Sequence, residues 1–128
     1  MMVRHSPLAA AILALSAMAI VPDAAQAQAQ DTIKIGVPVP LSGSYSRAGK
    51  DILNGAQLAA DDINAKGGVL GKKIELVSED DKCDADAAAQ AAQALVQKGV
   101  VAVAGGYCSS AALPELRVLH GAGIAFVM

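Results

Sequence analysis

From residue 32 onward the sequence alternates between short β-type runs and longer stretches of helical period, and short loops join them. Residues 32–39 (Thr-Ile-Lys-Ile-Gly-Val-Pro-Val) are β-branched and apolar among prolines, the pattern of a strand. Over residues 49–66 the apolar positions Ile52, Leu53, Ala56, Ala59, Ala60 and Ile63 recur at helical spacing. Asp51 near its start and Lys66 near its end suit the helix dipole, and Gly67-Gly68 stops it. Residues 73–78 alternate as a second strand. Asp84 or Asp86 can cap a helix over 85–98 that Gly99 ends. Residues 100–104 are wholly apolar, the mark of a strand covered on both faces. Ser109 or Ser110 can cap a third helix reaching about His120, with Pro114 in its first turn, where a missing N–H is tolerated. Residues 124–127 then begin a fourth strand. The order β-α-β-α-β-α-β predicts an α/β fold, a doubly wound parallel sheet with right-handed crossovers.

The first 29 residues read differently. Arg4 and His5 precede an uncharged apolar run over residues 8–21, Pro22 breaks it, and Ala25-Gln26-Ala27 and Ala27-Gln28-Ala29 each offer a small-x-small exit. That is the composition of a secretory signal peptide over 1–29, with residues 30–128 as the exported part. The run is shorter than the about 20 apolar residues that span a bilayer. Lys plus Arg is 10 against 12 for Asp plus Glu, so the chain lacks the basic surface of a nucleic-acid binder. At 54% hydrophobic it does not resemble a disordered chain, and 128 residues allow one small domain or part of a larger one. In an exported protein the two cysteines, Cys83 and Cys108, read as a structural disulfide. A zinc site or catalytic thiol is disfavoured, because His120 is distant in sequence and no base adjoins either cysteine.

In an open parallel sheet, ligands bind beyond the carboxyl ends of the strands. Two loops reach that edge. Residues 40–47 (Pro-Leu-Ser-Gly-Ser-Tyr-Ser-Arg) are rich in hydroxyls and small side chains. Residues 105–110 (Gly-Gly-Tyr-Cys-Ser-Ser) open a helix, whose unpaired N–H groups and positive dipole end favour a carboxylate. Ser109 can add its hydroxyl there or serve as an ordinary N-cap. Enzyme signatures fail: there is no G-x-x-x-x-G-K-[ST] for nucleotide hydrolysis, no G-x-G-x-x-G for a dinucleotide and no G-x-S-x-G nucleophile elbow. His120 reads as a surface residue at a helix end. The acidic run Glu79-Asp80-Asp81 with Asp84 and Asp86 lacks the calcium-loop pattern and reads as a solvated loop and helix cap. No metal and no cofactor is expected.

The runs Asp61-Asp-Ile-Asn-Ala-Lys-Gly-Gly-Val-Leu-Gly, Glu79-Asp-Asp-Lys-Cys-Asp and Gly106-Tyr-Cys-Ser-Ser are those by which the chain resembles the leucine/isoleucine/valine-binding proteins of bacterial ABC importers, over nearly all of residues 32–128. The resemblance implies a type I periplasmic binding protein fold of two hinged lobes, of which this chain is expected to be a partial N-terminal lobe, and no enzymatic activity. It implies that Ser109 holds an amino acid's α-carboxylate by hydroxyl and N–H, with Ser110 beside it and Tyr107 bordering the side-chain pocket. Where the family presents an aromatic to that pocket this chain has Ala48, and Tyr45 is expected to swing in instead. The Cys83/Cys108 pair is similar to the family disulfide. The implied partners are a small amino-acid-like ligand and inner-membrane permease subunits, without nucleic acid or directly bound nucleotide. Binding of amides, urea or aromatic acids, or a role as an extracytoplasmic sensing domain, is the alternative.

Overall fold

A computed structural model describes residues 32–128; the signal peptide expected over residues 1–29 lies outside them. Its elements are β1 (Ile33–Val39), α1 (Ser46–Ala65), β2 (Ile74–Asp80), α2 (Ala85–Gln97), β3 (Ala102–Ala104), α3 (Ser109–Gly121) and β4 (Ala125–Val127). All strand pairs are parallel, and the sheet order is β2-β1-β3-β4. β1 pairs with β2 along its whole length, from Ile33 opposite Ile74 to Val39 opposite Asp80, and with β3 through Ile35–Ala102 and Gly36–Val103. The chain steps outward from β1 to β2, returns across β1 to β3, and steps outward the other way to β4. The strand order therefore reverses between β1 and β3, which is where a crevice opens in such a sheet.

The two faces of the sheet carry different cores. On one, Val103 packs with Ala92 and Leu95 of α2, Val100 and Leu119 of α3, with Val77, Val118 and Phe126 around them. Gly36 makes this approach possible, since a Cβ there would stand 2.9 Å from Val103 Cγ2 and 3.0 Å from Leu95 Cδ1. On the other face, Ile35, Val37, Ile74 and Leu76 line, with Ala56, Ala60 and Ile63 of α1, a cavity of about 200 Å³ between helix and sheet. The small side chains of α2, Ala88, Ala91 and Ala92 among them, let that helix and the sheet come close.

Local signals explain most ends. Asp84 caps α2, its carboxylate accepting from the N–H groups of Asp86 and Ala87. α1 stops where Gly67 and Gly68 take positive φ, and Gly68 N–H reaches back to the carbonyl of Ile63 at 2.9 Å. The Asn64 amide then acts as a surrogate strand, donating to Ile74 O at 2.8 Å and accepting from Ile74 N–H at 2.7 Å.

Three expectations are corrected. α1 begins at Ser46, three residues before Gly49, so Asp51 falls outside its first turn and Lys66 becomes its C-cap, paired with Asp62 at 2.6 Å. β3 is not covered on both faces: Val103 is buried, but Ala104 is exposed. α3 is capped by neither serine; Cys108 is its N-cap, extended at φ −98° and ψ 127°, with no side-chain cap bond. Pro114 therefore lies beyond the first turn, in the helix interior, where it leaves the carbonyl of Ser110 without its usual donor.

The early start of α1 rests on Gly49, which is buried against the end of β1. A Cβ there would lie 1.9 Å from the carbonyl oxygen of Pro40, a backbone atom that cannot give way cheaply. Gly49→Ala is expected to destabilise the chain by about 2–3 kcal/mol, as overpacking against backbone does. An unchanged urea midpoint would refute that expectation.

Candidate functional site

The loops after β1 and β3 flank the switch point. Gly105 N–H donates to Val127 O at 3.1 Å and Gly106 N–H to Pro38 O at 3.2 Å, so both amides extend the sheet and neither is open to an anion. The N–H groups of Ala111 and Ala112 return to Cys108 O at 3.0 and 3.1 Å. Among the described residues this leaves the first two amides of α3, those of Ser109 and Ser110, without a protein acceptor, as the first turn of any helix must. The anion-binding edge is thus narrower than the Gly-Gly sequence suggests.

A cavity of about 400 Å³ opens beside these amides, lined by Gly106, Tyr107, Cys108, Ser109, Ala112, Leu113 and Met128. Its lining joins the helix-terminal Ser109 with the apolar Ala112, Leu113 and Met128. Tyr107 and Ser109 are therefore both brought to one cavity. Tyr45 stands against Tyr107, ring centroids 5.7 Å apart and planes tilted by 53°, an arrangement aromatic pairs favour. Both rings remain half exposed, at 51% and 49%. Ser110 turns its hydroxyl away from the cavity to donate to Cys83 O at 3.0 Å, and Ala48 sits half-buried in the first turn of α1, outside the cavity lining.

Cys83 and Cys108 are joined, with Cα atoms 5.3 Å apart, tying the loop after β2 to the entry of α3. The extended conformation of Cys108 is thereby held from outside the helix, which is why a side-chain cap is dispensable there.

The acidic segment at the end of β2 is not a solvated loop, and this is where sequence reasoning missed most. Asp80 Oδ1 accepts from Leu41 N–H at 2.8 Å, Lys82 N–H at 3.0 Å and Ser42 N–H at 3.3 Å. Burial pushes the Asp80 carboxyl up, but the Ser42 hydroxyl and these amides together hold it below its ordinary value. Asp81 is fully buried and accepts from Cys83 N–H at 2.8 Å. Glu115 of α3 is fully buried too, and Asp81 Oδ2 and both Glu115 oxygens have no other protein partner among the described residues. Burial first, and the charge and hydrogen bonding of Asp81 second, push the Glu115 carboxyl up to about 8. Burial likewise raises Asp81, against the bond from Cys83 N–H and with help from the Asp80 charge. At neutral pH Glu115 thus keeps its proton, beside Asp81. One signal was available: Ala111, Glu115 and Leu119 recur at four-residue spacing, which puts Glu115 on the buried stripe of α3.

Among the described residues, no group of three or more His, Cys, Asp or Glu is placed to hold a metal ion, and no helix is long and apolar enough to cross a membrane.

A parallel α/β sheet with a cavity of ligand size beside the loop after β3, between α3 and the end of β4, defines the class of an open-sheet α/β lobe. The periplasmic binding protein family model matches residues 32–128, and the chain belongs to that family. It is 43% identical over 93 residues to an amino acid binding protein of Pseudomonas aeruginosa, covering 72% of this chain and 25% of that one. Against the Leu/Ile/Val-binding protein of Escherichia coli K12 it is 36% identical over 115 residues, 90% of this chain and 29% of the relative. The crystal structure of the branched-chain amino acid transporter substrate binding protein LivJ from Streptococcus pneumoniae, in complex with isoleucine, superposes with a TM-score of 0.71 at 42% identity, covering 74% of this chain and 28% of that one. The chain thus spans between a quarter and three tenths of the length of these proteins.

Proposed function

We propose that this chain contributes part of the ligand-binding lobe of a periplasmic solute-binding protein, serving an ABC importer of branched-chain or related amino acids. The observation that carries the reading is the cavity beside the loop after β3, whose lining joins Ser109 at the start of α3 with Tyr107 and the apolar Ala112, Leu113 and Met128. An α-amino acid with an aliphatic side chain combines the same two kinds of group. In this reading Ser109 receives the carboxylate by hydroxyl and N–H, favoured by the helix dipole. Tyr107, with Tyr45 against it, borders the side chain. Ser110 offers its N–H alone, since its hydroxyl is committed to Cys83. The expected signal segment at 1–29 places the product in the periplasm, and permease subunits are its partners. Names of relatives support the ligand class: the Pseudomonas relative is an amino acid binding protein, and the Escherichia relative takes its name from leucine, isoleucine and valine. The function is binding, not catalysis.

Open cavities bury less of a ligand than the 70–90% usual in closed sites, so binding to this chain is expected to be weak, in the millimolar range. Amide chemical shifts of the isotope-labelled chain, titrated with isoleucine, leucine and valine, test the reading. Shifts confined to residues 105–113 and the neighbourhood of Tyr45, lost in Ser109→Ala, are expected. No shift at about 10 mM of any of the three would refute it.

A further inference from the structure

The loop after β1 carries one of the two tyrosines of the site, yet little burial holds its tip: Ser42, Gly43, Ser44 and Tyr45 are all exposed. The hydrogen bonds that tie residues 41 and 42 to another part of the chain converge on one atom, Oδ1 of Asp80, which takes both amides at 2.8 and 3.3 Å. The same oxygen takes Lys82 N–H at 3.0 Å, so it joins the loop after β1 to the loop leading to Cys83 and the disulfide. An ionised acceptor makes such bonds roughly twice as strong as a neutral one. Asp80 occupies the last position of β2, directly opposite Val39 at the end of β1, so a short side chain there reaches the adjoining loop. Tyr45 then follows within three residues of Ser42, with the turn between them closed by Ser46 N–H to Gly43 O at 3.2 Å.

We propose that Asp80 is the positioning residue of this site: its carboxylate clamps the loop after β1, so that Tyr45 stands against Tyr107 across the crevice. It touches neither ring and acts through the backbone of residues 41 and 42. The consequence for affinity rests on the ligand-binding reading given above; the consequence for the tyrosines does not.

The chain contains two tyrosines, Tyr45 and Tyr107, and no tryptophan, so its tyrosine circular dichroism near 275 nm reports this pair without labels. Asp80→Ala in the full chain is expected to lose most of the band that depends on the pair, matching the loss in Tyr45→Leu, while the far-ultraviolet helical signal is kept. Asp80→Asn, which retains an oxygen acceptor without the charge, is expected to fall between. A role confined to stability would lower the urea midpoint but leave the band of the folded variant intact, and that result overturns the proposal. Should Asp80→Ala fail to fold, Asp80→Asn decides alone: a wild-type band in that variant also overturns it. Isoleucine is then titrated into each variant, with about a tenfold weakening expected for Asp80→Ala. Loss of the band in a chain whose wild type binds no isoleucine upholds the clamp and refutes only the ligand reading. A retained band with weakened isoleucine binding refutes the clamp and leaves the ligand reading standing.

Discussion

Raising the pH from about 4.5 to 8 is expected to destabilise this fold by the order of 4 kcal/mol, and Glu115→Gln is expected to remove most of that dependence. Glu115 is fully buried beside Asp81 and keeps its proton to about pH 8 in the folded chain, against an ordinary value of 4.5. Below 4.5 both folded and unfolded chains hold the proton, so the contribution is fully present. Between 4.5 and 8 the unfolded chain releases the proton while the folded chain retains it, and stability falls as pH rises. Above 8 the curve levels. A few kcal/mol is a large share of the 5–15 kcal/mol that holds a typical domain together. Asp80 acts in the opposite sense: its carboxyl is held below the ordinary value, so its stabilisation is lost only as pH falls through that lowered value. Maximum stability therefore lies in mildly acidic solution. Urea unfolding of the wild type and Glu115→Gln across this range checks both signs. Parallel, flat profiles would sink the idea of a proton retained in the core.

The second large effect is expected from the disulfide. Cys83 and Cys108 are 25 residues apart, and closing a loop of that size restricts the unfolded chain by about 3 kcal/mol. Replacing both cysteines by alanine, or reducing the protein, should lower stability by that order. The local consequence reaches the site, because the bridge holds Cys108 at the entry of α3, next to Tyr107 and Ser109. The tyrosine signal of the reduced chain should weaken before global unfolding. Equal urea midpoints for the oxidised and reduced chains would contradict the assignment.

These two effects differ in how far the sequence announced them. The cysteine pair was legible once the chain was read as exported, because two thiols without a metal pattern leave few alternatives. Glu115 was legible only in the four-residue spacing it shares with Ala111 and Leu119, since amid Leu113, Leu116 and Arg117 it otherwise looks like an ordinary helix-surface residue. Asp80 and Asp81 had no such signal. Within the run Glu79-Asp80-Asp81 nothing local separates a solvated acid from one bound by an amide 39 residues away. Of the candidate site, Ser109 was legible from the position of its loop, while Tyr107 and Tyr45 were named only through the family resemblance; that the two rings stand 5.7 Å apart, both half exposed, came from the structure. That both glycines of the 105–106 pair spend their amides on Val127 and Pro38 was hidden, because those acceptors lie on other strands.

By itself the sequence determined the kind and order of the seven elements, since period, caps and stop glycines act within a few residues of each other. Asp84 caps α2 and Gly67-Gly68 ends α1 whatever the rest of the chain does. Only the tertiary structure decided that β1 lies between β2 and β3, which carboxylates leave water, and which amides at the sheet edge are taken by other strands. Those outcomes depend on groups tens of residues apart meeting in space, where burial and a single hydrogen-bond partner reverse what an acidic or glycine-rich run means.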